Sequence, residues 1–154
     1  MKIYLIFGCL IQIVASACPN GWLTHDGNCY HFSHDVESWT GAYTMCKILG
    51  GQLLEIDGAT ENQFVSSQVK ISGRNYWIGL TDVNEEGSWI WMTSMTKLNY
   101  SNWTPGEPTA LNVYKEIENC VLIYKNNGMW NDSPCSHTNF YICEKSDGVS
   151  EIIG

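Results

Sequence analysis

The feature that most restricts the folds open to this chain is its cysteine set. Seven cysteines occur, and the first, Cys9, lies in an N-terminal stretch of distinct character. Lys2 supplies a positive charge, Ile3 to Val14 is an almost uncharged apolar run, and Ala15-Ser16-Ala17 meets the small-x-small cleavage rule. Residues 1–17 therefore read as a signal peptide, and the run is too short for the roughly 20 apolar residues that span a bilayer. Removal of this leader leaves Cys18, Cys29, Cys46, Cys120, Cys135 and Cys143, an even set. In the oxidising environment that secretion implies, such a set reads as disulfides, with fifteen connectivities left open. No Cys-x-x-Cys pair occurs, which argues against a zinc ribbon or a redox motif.

Roughly 137 residues follow residue 17, the usual size of one domain with a real core. Neither a repeat nor a Pro/Ser-rich linker interrupts them, so one domain is expected over residues 18–145, with a short polar tail over 146–154. Sixteen acidic residues stand against eight basic ones. That sign disfavours nucleic acid and anionic membranes, whose phosphates call for Lys or Arg. No later segment is apolar enough to span a membrane, and the expected location is extracellular.

Two helical patterns come early. Trp39, Ala42, Tyr43, Cys46 and Leu49 recur at the three- and four-residue spacing of one helix face, with Ser38 as N-cap and Gly50-Gly51 as the stop. Thr60-Glu61-Asn62-Gln63 reads as a capping box opening a second helix, whose buried stripe starts at Phe64 and Val65. The period then changes. Tyr76 to Leu80, Ser88 to Trp91, Cys120 to Tyr124 and Phe140 to Cys143 are short aromatic and β-branched runs between turn residues, the mark of strands. The expected class is α+β, two helices packed on short antiparallel sheets. Between Leu98 and Cys120 lies a long stretch with two prolines and little pattern, which reads as a functional loop.

In and just after that loop stand Glu107-Pro108-Thr109, Glu118-Asn119-Cys120 and Trp130-Asn131-Asp132. Together they offer carboxylates, a side-chain amide and a hydroxyl, the oxygen donors that a hard cation such as Ca²⁺ requires. These runs, with Trp77-Ile78-Gly79-Leu80, Tyr100-Ser101-Asn102-Trp103 and the cysteines at both ends, resemble the long form of the C-type lectin domain, in order and spacing, over essentially the whole chain after residue 17. In style the chain is also similar to small secreted single-domain lectins of invertebrates, perlucin-like proteins among them.

The resemblance implies the C-type lectin fold with a long calcium-binding loop. It implies three disulfides, Cys18 with Cys29, Cys46 with Cys143, and Cys120 with Cys135, the first fixing an N-terminal hairpin. It implies a calcium ion and a sugar held together by Glu107, Thr109, Glu118, Asn131 and Asp132, a cis bond before Pro108, and Trp130 as a packing anchor beneath the site. In the family's mechanism two vicinal sugar hydroxyls complete the coordination of the ion. Glutamate before the proline matches the mannose-type arrangement, so mannose, fucose, glucose or N-acetylglucosamine is expected rather than galactose. Thr109 departs from the pattern, which places asparagine there; a hydroxyl is shorter and lacks the amide donor. A second calcium position of the family would use Asp82 and Glu86, but its other acidic partners fall at Ala110 and Asn119, so an ion there would be held poorly or not at all.

Other chemistries find little support. His25, His31, His34 and His137 show no metal-ligand spacing and read as scattered polar surface, and no Gly-x-Ser-x-Gly elbow exists, so no enzyme is expected. Tyr114 could stack on a sugar face but is expected to pack on its own loop. Asn99 and Asn102 open N-glycosylation sequons, so a glycoprotein is expected; a third, at Asn131, would destroy the ion site if modified. The leading reading is a secreted calcium-dependent lectin of innate defence, acting through weak sites multiplied in a non-covalent homo-oligomer. The rival is a lectin-like domain that binds protein or mineral and keeps a vestigial sugar site.

Overall fold

A computed structural model of the chain describes residues 18–148. The expected leader, residues 1–17, and positions 149–154 of the expected tail lie outside the described residues. The first structure is a hairpin of β1 (Leu23–His25) and β2 (Asn28–Phe32). Asp26 and Gly27 turn it with positive φ at both positions, as a two-residue hairpin loop of this twist requires. Strand β2 then pairs antiparallel with the last strand, β8 (Phe140–Ser146), from Asn28 opposite Ser146 to Phe32 opposite Ile142.

Helix α1 (Trp39–Ile48) starts as its sequence predicts: the Ser38 hydroxyl accepts from the Gly41 N–H. Helix α2 (Ala59–Ser72) does not. Its N-cap is Gly58, without a side-chain cap bond, and Thr60 already lies inside the helix. Glu61, at the third helical position, reaches back to the Asp57 N–H instead and also accepts from the Tyr30 hydroxyl. The expected box, Thr60 with Gln63, therefore does not open the helix, and Glu61 satisfies the Asp57 N–H just before the cap instead.

Between the helices lies β3 (Gln52–Leu53), and after them come β4 (Tyr76–Thr81), β5 (Ile90–Trp91), β6 (Cys120–Ile123) and β7 (Trp130–Ser133). The path across the sheet is β1-β2-β8-β4-β6-β7, with β3 on β8 and β5 on β4. One pairing departs from the antiparallel expectation. Strands β4 and β8 run parallel, Tyr76 beside Phe140, which makes the sheet mixed.

Alternation along the central strands divides the interior in two. Tyr76, Ile78, Leu80, Val121, Ile123 and Ile142 join Val65 and Val69 of α2, while Trp77, Leu122, Tyr141 and Cys143 join Trp39, Ala42 and Cys46 of α1. Every residue of β4 is buried. Gly79 sits in its middle because β3 crosses there: a Cβ would lie 2.9 Å from the Leu53 carbonyl oxygen. The three expected disulfides are formed: Cys18–Cys29, Cys46–Cys143 and Cys120–Cys135.

Candidate functional site

The site is assembled where the long loop meets the edge strand β7. Sequence reasoning treated Trp130-Asn131-Asp132 as a motif and missed that it is a strand. The Trp130 ring is fully buried, packs edge-on against Trp91, Tyr100 and Trp103, and donates its indole N–H to Asn62 Oδ1 at 2.9 Å. Backbone bonds from Trp130 N to Asn102 O and from Thr104 N to Trp130 O then fasten the start of the loop to this strand. The expected packing anchor therefore fixes both the strand and the loop that carry the site.

The structure brings together all five residues expected at the primary site. The peptide between Glu107 and Pro108 is cis. Thr109 donates its backbone N–H to Asp132 Oδ2 at 2.8 Å and its hydroxyl to Glu118 Oε2 at 3.1 Å. Asn131 donates its amide to Glu107 Oε1 at 3.4 Å. Its carbonyl oxygen accepts from the Thr104 hydroxyl at 2.7 Å, and Asn127 in turn donates to that hydroxyl. Thr104 and Asn127 are positioning residues that sequence reasoning did not find. Thr104 was visible only as the hydroxyl of a sequon, with no sequence signal tying it to Asn131.

Two carboxylate oxygens in this set, Glu107 Oε2 and Asp132 Oδ1, are buried without a hydrogen-bond partner. A charged oxygen in that condition is costly. Burial, first, and then the adjoining carboxylate of Glu107 and the charge of Glu118 push the Asp132 carboxyl well above its ordinary range. Burial likewise raises Glu118; the Thr109 hydroxyl works against it, the charges of Glu107 and Glu116 add to it, and His137 opposes them. Mutually repelling, half-desolvated carboxylates of this kind are relieved by a bound cation or by protons.

Among the described residues no group of three or more His, Cys, Asp or Glu side chains stands ready to hold a metal ion. The reason is visible in the bonds above. Thr109 and Asn131 alternate with the carboxylates and hydrogen-bond to them, so a cation would replace those bonds rather than enter a preformed cage. By chemistry the set fits a hard cation: all its donors are oxygens, and the two orphaned ones are carboxylate.

The second expected set is thinner. Asp82 is buried, takes the Gly87 N–H on Oδ2 at 2.8 Å, and leaves Oδ1 unpartnered, as Asn119 leaves its own Oδ1. Burial raises the Asp82 carboxyl, against hydrogen bonds from Gly87, its own backbone and Glu86. Glu86 is exposed, and Ala110 offers only its backbone carbonyl, which already accepts from Glu118 N.

The histidines do not converge, though two of them are not the polar surface expected: His25 stacks on Phe64 at 4.1 Å and His31 leans on Trp22. Only His137 approaches the site, as an ion-pair partner of Glu116 at 3.6 Å. Tyr114 does not pack on its own loop and is 82% exposed. Asn99 is exposed, whereas Asn102 is half-buried and donates to Gly128 O.

A two-core mixed sheet with its ends paired, three disulfides and a carboxylate–amide cluster on a long loop define a C-type lectin domain. The model of the Lectin C-type domain matches residues 35–145, and the chain belongs to that family. It is 37% identical over 131 residues to the CD209 antigen of Symphalangus syndactylus, with 84% of this chain and 33% of that one covered. The chain thus spans about a third of the length of the CD209 antigens it matches. A perlucin-like protein of Mytilus galloprovincialis is 35% identical over 131 residues, covering 82% of this chain and 81% of that one. The carbohydrate-recognition domain of the mouse scavenger receptor C-type lectin superposes with a TM-score of 0.78 at 30% identity, covering 84% and 98% of the two chains. The family is one of carbohydrate-binding domains that generally bind calcium. Among the described residues no helix is long and apolar enough to cross a membrane.

Proposed function

We infer that this chain is a secreted, calcium-dependent lectin of mannose-type preference that recognises glycans in innate defence. Residues 1–17 would be its leader, 18–145 its binding domain and 146–154 its tail. The observation that carries this reading is the pair of buried carboxylate oxygens, Glu107 Oε2 and Asp132 Oδ1, left without partners inside an all-oxygen donor set. Calcium, when bound, would supply positive charge and open coordination positions for two vicinal sugar hydroxyls.

Glu107, Thr109, Glu118, Asn131 and Asp132 would hold the ion. Glu107 and Glu118 can only accept from sugar hydroxyls and Asn131 can donate, and this order selects the stereochemistry of the diol. The Thr109 hydroxyl, now bonded to Glu118, must turn to an ion or a sugar, which lowers affinity. Asp82 with Glu86 contributes at most a weakly held second ion. The chain is read as a binding module rather than a catalyst, and several copies in a non-covalent oligomer would supply avidity.

Glycan-array binding with and without a calcium chelator tests the reading, using the native chain beside Glu107→Ala. Chelator-sensitive binding to mannose-type sugars, lost at least about tenfold in the variant while its fold is kept, is the expected result. Binding that survives both chelator and substitution would overturn the coordination mechanism. The rival reading, a protein- or mineral-binding domain with a vestigial sugar site, draws on one observation: Thr109 and Asn131 already satisfy part of the carboxylate set from within. Native protein that binds no glycan in calcium would favour it.

A further inference from the structure

Three Asn-x-Ser/Thr triplets, opening at Asn99, Asn102 and Asn131, are alike in the sequence and unlike in the fold. Leu98 and Tyr100 turn inward and pack on the core that α2 covers, and Tyr100 meets the Trp130 ring edge-on. Asn99 and Ser101, which alternate with them, are exposed. Among the described residues the Asn99 side chain makes no hydrogen bond, so its amide stands free in water beside the Ser101 hydroxyl.

Asn102 is held differently. It is half-buried, donates its amide to Gly128 O at 3.4 Å, and takes the Trp130 N–H on its backbone carbonyl. The turn behind that amide is closely packed: Gly128 O also accepts the Ser66 hydroxyl at 2.6 Å, and a Cβ on Gly128 would lie 3.0 Å from the Ser66 Cβ. The hydroxyl of its triplet, Thr104, is donated to Asn131 Oδ1. Asn131 itself lies in β7 with its amide turned to Glu107. A sugar on Asn102 would force the β6–β7 turn away from α2, and one on Asn131 would fill the space among the carboxylates.

Asn99 also borders a cavity of about 210 Å³, floored by the buried Ile56 and Trp91 and rimmed by Asp57, Thr96, Lys97 and Tyr100. An apolar floor with polar groups around it suits a pyranose ring, which has a carbon face and a circle of hydroxyls.

We propose that Asn99, alone of the three, carries an N-linked glycan, and that the first sugar of that glycan, an N-acetylglucosamine, lies in the adjoining cavity. This rests on the reading of the chain as secreted, since the donor, a polyprenyl-diphosphate oligosaccharide, is met in the secretory pathway. The transfer forms a bond from Asn99 Nδ2 to C1 of the sugar and breaks the C1–O bond to the diphosphate, which leaves with the electron pair. The amide gives up one proton to a base of the transferase and keeps the other. Because the sugar is joined directly to the amide, the cavity it fills must be one that Asn99 itself lines. A chain modified at Asn102 or Asn131 before folding could not make the bonds above and would not join the folded, secreted population.

The test is expression of the full chain, residues 1–154, in cultured mammalian cells, with peptide mapping of the secreted protein after peptide N-glycosidase digestion in ¹⁸O water. Each glycosylated asparagine is then marked as a labelled aspartate. Asn99 is expected to carry the label and Asn102 and Asn131 none; Asn99→Gln should be secreted without a glycan, and Asn102→Gln should keep it. A label at Asn102 or Asn131, or a secreted native chain with no glycan, would overturn the assignment. Native chain retained in the cells without a glycan would bring down the secretion reading and the site with it. For the cavity, protein trimmed by an endoglycosidase to the first sugar should melt roughly 2–4 °C above Asn99→Gln. Equal melting of the two would overturn the seat and leave the attachment standing.

Discussion

Thr109 is the position where one side chain decides most about the site. Its hydroxyl donates to Glu118, so the residue quiets the carboxylates from within, where the family's asparagine would set an amide and a carbonyl toward sugar and ion. Thr109→Asn is therefore expected to strengthen calcium-dependent sugar binding by ~1 kcal/mol, read by titration of the preferred monosaccharide. An unchanged affinity would mean that Thr109 already coordinates as well as the amide.

A second carboxyl works away from the site. Glu144 is buried, and burial pushes it up to about 8 although Gln52 Nε2 and the Glu55 N–H both donate to it. The unfolded chain ionises this group first, near 4.5, so between about 4.5 and 8 the folded state binds more protons and stability falls as pH rises. Glu144→Gln keeps an acceptor for both donors and removes the ionisation. It is expected to gain ~1–3 kcal/mol at pH 8 and little at pH 4, by urea denaturation at each pH.

At the level of elements, the disulfides divide the labour. Cys120–Cys135 closes a separation of 15 residues that contains β6, β7 and the Trp130-Asn131-Asp132 run, and Cys120 follows Glu118 by two positions. Replacing both cysteines by serine should cost ~3 kcal/mol and also weaken sugar binding. The same change at Cys18 and Cys29, in the hairpin far along the sheet, should cost stability alone. Equal losses of sugar binding in the two variants would argue against a positioning role for the Cys120–Cys135 bridge.

Legibility followed physical distance along the chain. Helix α1 could be read because its cap, stripe and stop are local, and β4 because a fully buried strand is apolar throughout. The start of α2 was misplaced by one competing interaction, Glu61 reaching back to Asp57. Strand β7 was invisible because Asn and Asp are poor strand formers. The five candidate residues could be picked out only through motif order. Thr104 and Asn127 could not, since nothing local marks a hydroxyl that will meet Asn131 from 27 residues away. The parallel β4–β8 pairing was equally hidden, being a property of the closed fold.

For the molecule as a whole, the disulfides and the two cores hold the fold and an ion would tighten it. With a Kd near 10⁻³ M, calcium at about tenfold excess contributes ~1.4 kcal/mol, worth roughly 3–7 °C in Tm for a domain of this size. A chelator should therefore lower Tm by a few degrees while circular dichroism still reports a folded chain. No shift on chelation would count against calcium binding.

The pairing of β2 with β8 has a consequence for how such a domain can be mounted. Cys29 faces Lys145 across the ladder and is bridged to Cys18 with their Cα atoms 5.4 Å apart, so the two ends of the described chain emerge side by side. Strands β4 and β6 stand between β8 and the edge strand that carries Asn131 and Asp132. A stalk, a surface or a second domain joined at either end would grip the same margin of the sheet. The margin that carries Asn131 and Asp132 would remain free, and copies hung from a common support could all turn it outward.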